Sequence, residues 1–314
     1  MKCRGIAALG AALAVIAMTA TPTMAASPNS GKIAFAAGNP LHVWTVKPNG
    51  KGLRDLNAGA PAGKTYCSPA LSPDGTRIAY IDAATPPPID APHPNESSPS
   101  SIVIANSDGT NARVVPNADE YGYFCLNELA WAPDGHHLAF PGYVTTDPRP
   151  DTDPGGFLSV INADNPLELP RRIGDATAYV FYTAFWSLDG SRLAADGDDG
   201  HTHIFRLDGG PSVTSADYHC HLSGWAPSSA RLLQTCEGPP WSTDAQGVWS
   251  VDANDLVSRT PVYLGAAGDG VYSPDGSRIA MRLDGQLATM PADGSAAPTV
   301  LVDRTDVYGI SWSG

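Results

Sequence analysis

The chain has few basic residues, few cysteines and none of the short motifs that mark the common enzyme classes. Its 314 residues include 19 lysines and arginines against 32 aspartates and glutamates, a formal net charge of −13. An acidic chain of this kind repels nucleic acid and anionic lipid, so neither is expected as a partner. The sequence has no Gly-x-Ser-x-Gly elbow, no His-Glu-x-x-His motif and no phosphate-binding glycine-rich loop. It therefore offers no evident nucleophile, metalloprotease centre or nucleotide site.

Long apolar runs are also lacking, with one exception at the start of the chain. A positively charged beginning precedes the apolar run 6–20, and Thr23-Met24-Ala25 follows as a small-x-Ala cleavage pattern. This order predicts a signal peptide over residues 1–25 and an exported mature chain over residues 26–314. The run is short for a membrane span of about 20 residues, and no later segment is apolar enough. We expect a secreted or periplasmic protein that has no membrane span and is soluble after cleavage.

A short phrase repeated along the chain organises everything that follows. In the complete copies, Pro fixes the first corner of a turn, Asp caps it and Gly takes the left-handed position, so the phrase predicts a tight hairpin. A weaker Asp/Asn-Gly turn follows in each repeat, which gives four strands per repeat, the unit of a β-propeller blade. The copies are Leu71-Ser72-Pro73-Asp74-Gly75, Trp131-Ala132-Pro133-Asp134-Gly135, Trp186-Ser187-Leu188-Asp189-Gly190, the worn Trp225-Ala226-Pro227-Ser228-Ser229, and Tyr272-Ser273-Pro274-Asp275-Gly276.

The two ends of the repeat region complete each other. Residues 31–35 read as the second strand of a repeat without its first, and residues 310–314 read as a first strand without the rest. Together they make one blade, and a ring closed in this way removes the sheet edges that the two end segments would otherwise expose. Five internal phrases and one shared blade predict an all-β, six-bladed propeller, a single domain over residues 26–314.

The Ser-Pro-Asp-Gly phrase, with an Ile-Ala-Phe-like strand after it and an aromatic residue two positions before the Pro, resembles the TolB-like propellers with their WD40-like repeats. The resemblance covers residues 31–314. The same repeat forms the propellers of prolyl-oligopeptidase-like peptidases and oligogalacturonate lyases, so it implies the fold and not an activity. We therefore expect neither the amino-terminal domain of TolB itself, for which residues 26–30 leave no room, nor a hydrolase domain after the last blade.

A binding site is expected on the top face, opposite the Pro-Asp-Gly turns. Long loops on a rigid ring are common binding elements, and three of them stand out at residues 82–100, 141–156 and 237–246. Tyrosines near the inner strands are the other candidates. The predicted ligand-binding residues are His93, Tyr121, Tyr143, Arg149, Tyr218 and Trp241.

Two histidine pairs suggest a metal site. On a strand, residues i and i+2 share a face, so His201 with His203, and His219 with His221, could each hold one side of a divalent ion such as Zn or Mn. The alternative is that one pair packs inside a blade and the other is exposed. No other cofactor is expected.

Four cysteines remain after export, which predicts two disulfides. Cys220 and Cys236 flank the worn turn at nearly equal distances, so they should face each other on a hairpin. Cys67 and Cys125 hold similar positions in the first strands of neighbouring blades, and their pairing follows by elimination.

Two functions remain open at this point. One is a monomeric, non-enzymatic module that binds a protein, or a small ligand or glycan, in the cell envelope through its top-face loops. The other is a carbohydrate-active enzyme, a polysaccharide lyase or hydrolase, that uses the histidines with or without a metal.

Overall fold

The apolar residues on either side of each Pro-Asp-Gly turn form antiparallel strands. A computed structural model describes residues 31–84, 100–115, 121–122, 128–144, 156–165, 168–173, 181–215, 220–239 and 245–314; the side chains at 121–122, 143–144 and 156 are not described. Over these ranges the secondary structure is β-strand, with no helix. None of the described segments is a helix long and apolar enough to cross a membrane.

The strands form six sheets that correspond to six blades of a propeller. Blade 1 contains β1 (Lys32–Ala37), β2 (His42–Val46) and β3 (Arg54–Asp55), and blade 2 contains β4 (Lys64–Leu71), β5 (Arg77–Ala84), β6 (Ser100–Asn106) and β7 (Arg113–Val114). Blade 3 contains β8 (Tyr121–Gly122), β9 (Ala130–Trp131), β10 (His137–Val144), β11 (Gly156–Asn162) and β12 (Arg171–Ile173), and blade 4 contains β13 (Phe185–Trp186), β14 (Arg192–Asp196), β15 (Thr202–Arg206) and β16 (Val213–Thr214). Blade 5 contains β17 (Cys220–Trp225), β18 (Arg231–Cys236), β19 (Gly247–Asp252) and β20 (Arg259–Leu264); blade 6 contains β21 (Ala267–Tyr272), β22 (Arg278–Leu283), β23 (Gln286–Pro291) and β24 (Thr299–Val302); and the last strand is β25 (Tyr308–Ser313).

The ring closes as predicted, with a blade built from both ends of the described chain. Strand β25 pairs antiparallel with β1, and Lys32 lies opposite Ser313. Blade 1 therefore has the order β25-β1-β2-β3. The prediction of six blades with a shared blade is confirmed.

Each intact Pro-Asp-Gly turn is held by its own side chains. In blade 2, the Asp74 carboxylate accepts hydrogen bonds from the Ser72 hydroxyl at 2.6 Å and from the Thr76 backbone N–H at 3.0 Å. Gly75 has φ +68°, a conformation that costs glycine little. Burial alone would raise the pKa of Asp74, but these hydrogen bonds hold it below its ordinary value. The same arrangement recurs at Asp189 and Asp275.

The worn turn of blade 5 is reinforced by a disulfide, as predicted. Cys220 lies opposite Cys236 in the β17–β18 pair, with their Cα atoms 4.1 Å apart, and the two are bonded. Cys67 is also disulfide-bonded. Its predicted partner, Cys125, lies outside the described residues, so that pairing stays a prediction.

The first strand of each blade lines the central axis, and several of these inner strands carry a β-bulge. The bulges interrupt pairing in β4, β17, β21 and β25. Ser68, Asp269 and Gly309 occupy three of them, with φ between +50° and +54°. A bulge turns a side chain away from the regular pleat, and here it does so beside the channel.

The connections between second and third strands leave the ring at the end where the inner strands begin, and we call this end the top face. Strand β5 ends at Ala84 and β6 begins at Ser100, close to the predicted loop. Strand β10 runs on to Val144, so the loop predicted over residues 141–156 is shorter by four residues at its start. The reason is continued pairing with β11, in which Tyr143 lies opposite Gly156.

Candidate functional site

Three exposed side chains surround the top entrance of the channel. Tyr182, His221 and Tyr308 each lie four residues before the aromatic residue of their repeat, in blades 4, 5 and 1. The tyrosines are 41% and 48% exposed, and the His221 side chain is 62% exposed. Blades 1 and 4 are opposite in a six-bladed ring, so the two tyrosines lie on opposite sides of the ring. We call these three residues the mouth ring.

One guanidinium group connects the mouth ring to the channel. Arg282 in β22 lies over the ring of Tyr308, with its guanidinium carbon 5.6 Å from the ring centroid. Its Nε also lies 3.0 Å from Oδ2 of Asp269, the bulge residue of blade 6. The arginine thus bridges an exposed aromatic ring and an acidic group just inside the entrance.

Below the entrance, Glu128 lies in a small cavity of about 30 Å³ between the inner strands of blades 1, 2 and 3. The bulge residues Ser68 and Gly309 line the same cavity. Burial, and then the negative charges of Asp269 and Asp196, raise the pKa of Glu128 well above its ordinary value. A space of this size can hold a water molecule or the tip of a side chain.

Asp196 belongs to a buried polar network that joins blades 4 and 5. Its carboxylate accepts hydrogen bonds from the Thr202 hydroxyl and from the Leu222 backbone N–H, both at 2.6 Å. Gln234 donates in turn to the Thr202 hydroxyl at 2.9 Å. Burial raises the pKa of Asp196 although these hydrogen bonds act in the other direction. Asp196 is therefore a structural link between blades 4 and 5.

The histidines differ sharply in environment. His203 is buried, and its Nε2 lies 3.1 Å from both carboxylate oxygens of Asp199. Its ring packs between Phe181 and Phe205, with centroids 5.7 and 6.1 Å away. His221 is exposed, with Nε2 3.9 Å from Glu237.

These environments give no metal cluster in the described part of the chain. His201 is half-buried, and its backbone N–H donates to Asp199 at 3.1 Å. No group of three or more His, Cys, Asp or Glu side chains suited to a metal ion occurs among the described residues. His219 lies outside them, so the proposed metal site stays a prediction.

The comparisons with known proteins give the fold. No protein-family model matches the sequence, and no curated protein matches it. Solved structures do. The putative TolB from Agrobacterium tumefaciens superposes with a TM-score of 0.60 at 14% identity, covering 89% of this chain and 92% of that one. The nidogen–laminin complex contains a chain with a TM-score of 0.59 at 12% identity, covering 89% and 97%. An oligogalacturonate lyase in complex with manganese has a TM-score of 0.53 at 15% identity, covering 83% and 70%.

All six ligand-binding residues predicted from the sequence stay predictions. Tyr121 and Tyr143 lie in the paired strands β8 and β10, but their side chains are not described. His93, Arg149, Tyr218 and Trp241 lie outside the described residues.

The sequence reasoning missed Tyr308, Asp269 and Arg282. A usable signal was present, because Tyr182, His221 and Tyr308 share one position relative to the repeated aromatic residue. An alignment of the repeats on that residue would have placed all three at the entrance.

Proposed function

We propose that this chain is an exported, non-enzymatic binding module that engages a protein partner through the mouth ring on its top face. The observation that carries this proposal is the set of exposed side chains at one repeat position around the channel entrance, two of them tyrosines. Tyrosine and arginine are enriched in protein interfaces and their energetic hot spots, because they offer a large apolar area with polar tips. Arg282 adds the arginine beside Tyr308.

Further support comes from the neighbours in fold and from the cysteines. One structural neighbour was solved within the nidogen–laminin complex, in which two proteins are bound to each other. The Cys220–Cys236 disulfide fits an oxidising compartment outside the cytoplasm. We expect the free module to be a monomer, which light scattering can check.

Site-specific photo-crosslinking tests the proposal. A benzophenone side chain is placed at Tyr182 and at Tyr308, and as a matched control at Leu188, which is 50% exposed in the Leu-Asp-Gly turn of blade 4 on the opposite face. After irradiation in the native host, both mouth positions should give the same discrete adduct and Leu188 none. An adduct from Leu188 alone, or one shared by all three positions, would place the interface elsewhere.

The second candidate, a carbohydrate-active enzyme, has one observation in its favour. Both His203 and His221 lie near enough to Asp196 to act on its pKa, and a lyase with manganese is among the neighbours in fold. Metal analysis of the purified protein and a lyase assay on polygalacturonate distinguish the two functions. Stoichiometric metal with turnover that is lost in His221→Ala would support the enzyme. No turnover would support the binding module.

A further inference from the structure

A second surface depression lies at the seam between blades 1 and 2, away from the mouth ring. It is a groove of about 390 Å³ between the link 56–60, which leaves blade 1, and the outer strands β6 and β7 of blade 2. Small-molecule sites have volumes of about 300–1,000 Å³. The groove is therefore large enough for a small molecule, and no part of the function proposed above uses it.

Two tyrosines line the groove, and both are mostly buried. The ring of Tyr66 lies 6.0 Å from that of Tyr80 and 6.1 Å from that of His42, with edge-to-face geometry in both pairs. Burial raises the pKa of Tyr80 to about 12 and also raises the pKa of Tyr66, with Asp82 adding to both shifts. Both phenols therefore stay protonated at neutral pH and keep an O–H donor, and the Tyr80 hydroxyl also hydrogen-bonds with the Asn57 side chain.

The charged groups of the groove are already paired. Asp82 accepts a hydrogen bond from Lys64 at 2.7 Å, which leaves part of the carboxylate open to the groove. Arg113 also lines the groove, but its guanidinium donates to the backbone carbonyl of Ala163 in blade 3. The groove thus presents donors and acceptors without an excess of either charge, in contrast to the acidic channel.

We propose that this groove binds a neutral sugar of one or two rings. Sugar hydroxyls both donate and accept, so one hydroxyl can donate to Asp82 while another accepts from a tyrosine. Tyr66, Tyr80 and Val103 form an apolar wall beside those polar groups, as is usual in small-molecule sites. A sugar acid would have to compete with Asp82 for Lys64 and with the Ala163 carbonyl for Arg113, and a cation would have to compete with Lys64 for Asp82.

Ligand-observed NMR with four probes tests the site: D-glucose, D-galactose, N-acetyl-D-glucosamine and D-galacturonate. Saturation transfer to at least one neutral sugar is expected, with little or none to galacturonate. Asp82→Asn should weaken that binding about tenfold or more, because a hydrogen bond to a charged group is lost. Ala112→Trp should abolish it by filling the groove, since Ala112 is an exposed lining residue.

The chain offers a matched control. Ala297 lies four residues after Asp293, as Ala112 lies four residues after Asp108, and both alanines are exposed. Ala297→Trp should leave sugar binding unchanged, and so should Tyr308→Ala, which separates this site from the mouth ring. No transfer from any neutral sugar, or transfer that persists in Ala112→Trp, would overturn the proposal. Galacturonate binding alone would overturn the assignment to a neutral ligand.

Discussion

At two seams of the ring an arginine reaches from one blade to the next, and at two others the equivalent residue turns back into its own blade. Arg77 of blade 2 lies 4.6 Å from the ring of Trp131 in blade 3, and Arg192 of blade 4 lies 4.8 Å from Trp225 in blade 5. Both tryptophans also donate through Nε1 to a carbonyl of the preceding blade, at 3.0 and 2.9 Å. Each of these two seams is thus stabilised by two contacts, a cation–π contact and a hydrogen bond.

The seams at Trp186 and Trp312 have similar sequences, but the described residues there lack both the stacked arginine and the hydrogen bond from the tryptophan Nε1. His137, at the position of Arg77 in its repeat, pairs at 2.6 Å with Asp134 of its own turn. Arg278, at the same position in blade 6, donates to Thr289 of its own blade at 2.7 Å. The buried Nε1 atoms of Trp186 and Trp312 have no hydrogen-bond partner in the part of the chain that the structure describes. One repeat phrase therefore builds two kinds of seam, and an arginine at the same position can contact the next blade, as Arg192 does, or its own blade, as Arg278 does.

The largest effect is expected where the seam between blades 4 and 5 has a further link, at Asp196. Asp196→Ala removes the acceptor of the Leu222 N–H and the Thr202 hydroxyl, and should lower the free energy of unfolding by about 3 kcal/mol. Urea unfolding measures this. Asp208→Ala, a matched exposed aspartate, should change stability by less than about 0.5 kcal/mol. Equal effects of the two substitutions would show that Asp196 does not stabilise the seam between blades 4 and 5.

Tryptophan-to-phenylalanine substitutions test the seam comparison directly. Trp131→Phe leaves the carbonyl of Ala70 without its donor and should cost about 1–3 kcal/mol. Trp186→Phe removes a donor that is already unpaired, so the lost contact area and the removed penalty should nearly cancel. Denaturant unfolding of both variants is the measurement. If Trp186→Phe costs as much as Trp131→Phe, the missing hydrogen bond is not what separates the seams.

A smaller effect, with a pH signature, is expected for Glu128, whose N–H crosses the seam between blades 3 and 4 to the carbonyl of Tyr182. Its raised pKa means that the native state holds the proton more tightly than the unfolded chain, so stability is lost as the pH rises from about 4.3 through the native pKa. Glu128→Gln should therefore raise Tm by roughly 2–4 °C at pH 7, about 1 kcal/mol. The gain should vanish near pH 4. A gain that is the same at both pH values would mean that ionisation is not involved.

The smallest effect concerns the arginines themselves. Arg77→Lys keeps the charge but loses the planar contact with Trp131, and should cost about 0.5–1 kcal/mol. Arg278→Lys, at the seam without stacking, is the control and should cost less. Thermal melts of both variants beside the wild type can resolve the difference. A larger loss of stability in Arg278→Lys than in Arg77→Lys would contradict the conclusion that Arg77 stabilises the seam.

The blades and the Cys220–Cys236 bond followed from sequence because their causes are local, and the closure followed because the two end segments complete one repeat. A Pro-Asp-Gly turn fixes its own register, and two cysteines equidistant from a turn must meet. The seams and the mouth ring depend on which residues of the next blade lie opposite, and periodicity does not encode that. For His201 and His203, strand parity predicts a shared face, but it does not encode the contacts that the ring of His203 makes with Phe181, Phe205 and Asp199.

The pairing of β25 with β1 has a consequence for how the ring opens. Every other strand pair in the described residues joins strands close in sequence, whereas this one joins opposite ends of the described chain. Closing so long a loop carries the greatest entropy cost and makes this the most non-local contact of the fold. Blade 1 should thus form last during folding and open first during unfolding. Its amide protons should exchange with solvent sooner than those of blade 5, where a disulfide spans the first hairpin. In a circular permutant that joins β25 to β1 and cuts a bottom hairpin of another blade, the blade with the cut should open first instead of blade 1.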